Sequence, residues 1–144
     1  MVVAKPAADK ALVLRGGASL GPITPSLLTK IQGVMGLLYA VEMFGLSPAA
    51  PDPVEKYWGT PSSEVTSGIL KWFGLAIIWL NGLMLYALLS LGADAVGLQK
   101  YSAFTWASCL ALYLSQVSAG TPQMTEGPII QAIMTVLSVY AGFF

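Results

Sequence analysis

The chain has 144 residues, 56% hydrophobic and only 10% charged, with a mean hydropathy of +0.71 and a formal net charge of zero. A soluble domain carries about 25% charged residues, so this composition leaves too little polar surface to solvate a globule. The neutral balance excludes a nucleic-acid footprint, a single cysteine excludes an internal disulfide, and the absence of histidine removes the commonest general base, metal ligand and pH switch.

Residues 1–25 read as an extended N-terminal tail. Lys5, Asp9, Lys10 and Arg15 alternate there with Pro6, Gly16, Gly17, Gly21 and Pro22, a composition of turns. The tail lacks the apolar core of a secretory signal. Gly16, Gly17 and Gly21 do not form a phosphate loop, since no Gly-Lys-Ser/Thr follows. Residues 26–144 read as one transmembrane helical domain.

A first helix is predicted from Pro25-Ser26, capped by Thr24 or Ser26, to Ser47-Pro48. Lys30 and Glu42 interrupt it near its two ends, and Gly33 and Gly36 offer a face for close helix approach. Ala49 to Ser67 is a polar, proline-rich connection, with Tyr57-Trp58 as an interfacial anchor. A second helix is predicted from Thr66 to Leu91, closed by Gly92-Ala93-Asp94, with Glu64 favourably placed against its dipole. A third spans Gln99 to Val117, and the short connection between the two predicts an antiparallel hairpin. A fourth begins at Pro128 and runs to Phe144.

Trp72–Ala93, Tyr101–Thr125 and Gly127–Phe144 contain no Asp, Glu, Lys or Arg. A bilayer core is about 30 Å thick and takes roughly 20 apolar helical residues to cross. The expected fold is therefore all-α: three to four transmembrane helices in a bundle, preceded by the tail. Four spans place both termini on one side, with Lys5, Lys10, Arg15, Lys30 and Lys100; Lys56 and Lys71 lie on the other. The positive-inside bias puts the termini in the cytoplasm or the equivalent plastid stroma.

Glu42 is the most informative side chain, because a carboxylate at membrane depth is costly. It is expected to sit at the headgroup level, to pair with a lysine or backbone donor, or to ligate a cofactor or relay protons. Gln32, Asn81, Gln116 and Gln131 are amides that bond to neighbouring helices, or alternatively donate an oxygen to the magnesium of a chlorophyll. Cys109 is expected to pack as a small apolar side chain. Asp52 and Glu55 lie in a solvated loop and do not make a catalytic pair.

The segment Leu14-Arg15-Gly16-Gly17-Ala18 resembles the start of mature plastid-membrane proteins in algae of the red lineage, such as diatoms and haptophytes. The remainder resembles the small accessory membrane subunits around photosystem I in those algae. The resemblance implies a thylakoid protein that bridges the photosystem core and its light-harvesting antennae. It also implies chlorophyll or carotenoid as cofactors, with Glu42, Asn81, Gln116 and Gln131 as contacts. Common light-harvesting antennae pair a helix-borne glutamate with an arginine of the partner helix. Here Arg15, in the tail, is the only arginine, so that pattern is absent.

Two functions follow as expectations. One is a non-catalytic structural subunit whose partners are membrane lipid and other membrane proteins, with no role for nucleic acid. The other is a small four-helix membrane enzyme or transporter that uses Glu42 with Asn81 or Gln116, which requires Glu42 to face a cavity lined by the second to fourth predicted helices.

Overall fold

The computed structural model describes residues 21–119 and 126–144. The bulk of the N-terminal tail and the expected break at Gly120-Thr121-Pro122 lie outside those residues. The described chain is all-helical: α1 (Pro25–Met43), α2 (Pro53–Trp58), α3 (Glu64–Ser90), α4 (Ala95–Ser118) and α5 (Glu126–Phe143).

Each helix from α1 to α4 begins where a side-chain acceptor meets its free N–H groups. Thr24 accepts from Leu27 N–H before α1, and Ser63 with Thr66 forms a capping box at α3. Asp52 caps α2 by accepting from Val54 and Glu55. Asp94, assigned from sequence to the end of the second helix, instead caps α4 through Val96 and Gly97, so α4 starts at Ala95 rather than Gln99.

Glycine decides two of the ends. Gly92 takes φ +64° after α3, and Ala93 N–H returns to the Ala87 carbonyl at 2.9 Å. Gly45 takes φ +69°, and its N–H returns to Glu42. That stop ends α1 at Met43, earlier than the expected Ser47-Pro48. The connection after it is not wholly irregular, because Asp52-Pro53 starts the short α2.

α1 lies at the centre of the packing. One side meets α3 in antiparallel register: Gly33 faces Leu85, Gly36 faces Asn81, and Gly74 of α3 faces Met43 and Phe44. The glycine face predicted on α1 is thus used. Another side of α1 meets the α4/α5 hairpin, whose backbones approach closely at Gly142; a Cβ there would lie 2.9 Å from Lys100 N. The expected hairpin of α3 and α4 is not the main contact. They touch at Met84 and Ser102, 3.6 Å apart, and α1 supplies the partner surface for both.

Among the described residues, α3 is the one helix both long and apolar enough to cross a membrane on that test alone. Only 11% of its most apolar stretch is buried.

Candidate functional site

Polar side chains gather at two opposite levels of the molecule. The first cluster is buried where α1 meets α4 and α5. Gln99 Nε2 donates to Thr29 Oγ1 at 2.8 Å and to Gln32 Oε1 at 3.1 Å. Gln32 Nε2 donates to Ser138 Oγ at 2.7 Å, and Thr29 Oγ1 donates back to the Pro25 carbonyl at 2.8 Å. Gln32 is 1% exposed, and Gln99, Thr29 and Ser138 are wholly buried. Gln32 Oε1 accepts, so the Gln99 amide must present its nitrogen, which leaves Gln99 Oε1 without a protein partner. The lattice ties three helices together in one register.

Sequence reasoning named Gln32 as a helix-to-helix amide and missed the other three members. The available signal was Thr29 and Gln32 at i, i+3 in an apolar helix, which places them on one face. Gln99 looked like a helix start and so was not weighed as a core residue.

The second cluster lies at the other end of α1. Lys56 Nζ donates to Glu42 Oε2 at 2.9 Å, and Tyr57 O–H donates to the same oxygen. Tyr39 packs edge-on against Tyr57 at 5.4 Å, and Trp58 does so at 6.0 Å. Burial, then the bond to Glu42, pushes the Tyr57 phenol well above its ordinary range, so it stays a neutral donor. Glu42 thus sits near the end of α1 and is paired with a lysine, the second of its three expected roles. It clamps α2 onto α1.

The four residues expected to contact pigment lie one on each of α1, α3, α4 and α5. Asn81 Nδ2 donates to the Ile77 carbonyl of its own helix at 2.9 Å, and its side chain fills the space opposite Gly36. Gln116 is half-buried near the end of α4, and Gln131 lies in the first half of α5. Gln131 Oε1 is enclosed and has no hydrogen-bond partner. Of the four, Gln131 fits a magnesium ligand by its spare oxygen, provided the side chain turns outward. Glu42 does not fit, since one of its oxygens already holds an ammonium and a phenol. Asn81 does not fit either, since it is wedged against α1.

Cys109 is exposed on α4 rather than packed as expected. It follows Ser102 by seven residues and so shares that side of α4, but one level beyond the buried Gln99, Ser102 and Ala103. Among the described residues, no group of three His, Cys, Asp or Glu side chains is placed to hold a metal ion.

A cleft of about 180 Å³ lies between the end of α1, α2 and the start of α3, lined by Met43, Phe44, Asp52, Ser67 and Lys71 among others. Glu42 is not among its lining residues. No protein-family model, curated protein or solved structure matches the chain.

Proposed function

We propose that this chain is an integral membrane subunit whose role is structural, and that α1, α3, α4 and α5 all cross the bilayer. The observation that carries the reading is inverted polarity. The fully buried side chains include Gln32, Gln99, Thr29 and Ser138, whereas Trp72, Trp79, Phe104 and Val136 are each 67–75% exposed. Along α1, Leu27, Ile31, Val34, Leu38 and Val41 form an exposed stripe at helical spacing. Water gives no reason for such an arrangement, but lipid does.

Other features agree. Thr105, Ser108 and Ser115 hydroxyls on α4 donate to carbonyls of their own helix at 3.1, 2.8 and 2.6 Å, which is how polar groups are satisfied in hydrocarbon. Lysine and aromatic rings mark both ends. Lys100 lies 5.5 Å from the Phe143 ring centre with Tyr101 beside it, and Lys56 lies beside Tyr57 and Trp58. α1 and α5, at 19 and 18 residues, reach about 27–28 Å at 1.5 Å per residue, close to the roughly 30 Å core.

The reading extends, through the resemblance, to a non-catalytic accessory subunit in the plastid thylakoid membrane. It bridges the photosystem I core and light-harvesting antennae, with both termini stromal. Chlorophyll and carotenoid are the implied cofactors, and Gln131 is the chlorophyll contact favoured by its spare oxygen. Gentle detergent extraction of the native membrane, then size separation with an absorption spectrum, tests this. The expected result is migration with a chlorophyll-bearing complex of several hundred kilodaltons. A small colourless species contradicts the photosystem role.

A further inference from the structure

We propose that the cleft between α1, α2 and α3 binds the oxyanion of an anionic lipid headgroup, with Lys71 as the charge partner. The proposal rests on the membrane reading above. Lys71 lines the cleft, is exposed, and forms no ion pair among the described residues. It lies seven residues beyond the first residue of α3, about 10 Å along the axis from the capped end. An ammonium at that depth is costly unless its stem carries it up to the headgroups and an anion meets it there.

The surroundings suit that anion. Ser67 is one turn ahead of Lys71, at i−4, and lines the same cleft, as does Ser62. The other charged group in the cleft, Asp52, keeps its negative charge, with its oxygens held by backbone N–H groups. Its Oδ1 accepts from Val54 and Glu55 N–H at 3.0 and 3.2 Å, and its Oδ2 accepts from Ser62 N–H at 3.0 Å. Lys71 is the one cation among the described residues that line the cleft. Met43, Phe44 and Val54 supply an apolar lining beside these groups. The volume is below the roughly 300–1,000 Å³ of sites for drug-sized ligands and cofactors. It suits a headgroup fragment and is too small for a pigment ring.

The shared chemistry is a phosphate-type oxyanion, carried by a lipid or free in solution. The test uses the full chain in mild detergent, titrated with phosphatidylglycerol and followed by native mass spectrometry. Lys71→Gln should weaken binding at least about tenfold, in keeping with loss of a charge-assisted hydrogen bond. Lys100→Gln, at the opposite end, should leave it unchanged. Equal binding by the wild type and Lys71→Gln overturns the proposal, as does equal loss in Lys100→Gln. Excess inorganic phosphate separates the sources. Failure to displace the lipid supports a headgroup site, and displacement that depends on Lys71 supports the same site filled by free phosphate. Failure of the membrane reading appears separately, as release of the chain by alkaline carbonate. In that case Lys71-dependent binding of inorganic phosphate can still be measured.

Discussion

The Gln32 side chain shows how few polar atoms hold this molecule in register. It accepts from Gln99 on α4 and donates to Ser138 on α5. Replacing it by leucine removes the partner of Ser138 and one of the two acceptors of Gln99, which keeps its bond to Thr29. Interhelical hydrogen bonds in membrane proteins average near 0.6 kcal/mol and reach about 1.7 kcal/mol. A cycle of Gln32→Leu, Gln99→Leu and the double variant should therefore show a coupling of about 1 kcal/mol in detergent unfolding. Strict additivity would mean that the lattice does not act as a unit. Asp52 offers a second test at this scale. The Ser62 N–H, with those of Glu55 and Val54, holds its carboxyl below the ordinary range. A lowered folded-state pKa gives stabilisation that is complete above the unfolded value, near 3.9, and is lost as pH falls through the folded one. Asp52→Asn should flatten the acid limb of the unfolding midpoint against pH. An unchanged limb would assign the acid sensitivity to other carboxylates.

At the scale of elements, glycines separate contact from mere sequence. A Cβ on Gly142 would meet Lys100 N at 2.9 Å and Gln99 C at 3.1 Å, both backbone atoms that cannot rotate away. Gly142→Ala should therefore push α5 from α4 and destabilise by about 1–3 kcal/mol. Gly68 has nothing within 4 Å, so Gly68→Ala should stabilise α3 by up to about 1 kcal/mol through propensity alone. Thermal unfolding of the two variants in one detergent checks both signs. The helices themselves were legible in the sequence because apolar runs, prolines and glycines bound them. Their ends were less so: Asp94 serves as a cap for α4 although it follows a glycine stop, and Gly45 outweighs the apolar residues after it. The α2 turn was hidden in a polar, proline-rich stretch. The partner of each helix was hidden more deeply. A short connection between α3 and α4 suggested a hairpin, yet Gly33 and Gly36 draw α3 to α1, and Gly142 draws α5 to α4. Glu42 was legible as a costly charge, but Lys56, fourteen residues on, becomes its partner only through the turn at Gly45 and the cap at Asp52.

For the whole molecule, the decisive property is which side of each helix faces out. The buried positions of α1 and α4 include Thr29, Gln32, Gln99 and Ser102, and the exposed ones include Leu38, Trp72, Trp79 and Phe104 across α1, α3 and α4. Apolar patches of more than a few hundred Å² are rare on soluble monomers. We infer that lipid is the solvent of that exterior. The direct measurement is alkaline carbonate extraction of membranes that contain the full chain, with the protein followed by immunoblot in pellet and supernatant. Retention in the pellet, with release only by detergent, is the predicted result. Release into the supernatant as a monodisperse species without detergent would contradict the claim, and with it the reading of the four long helices as spans.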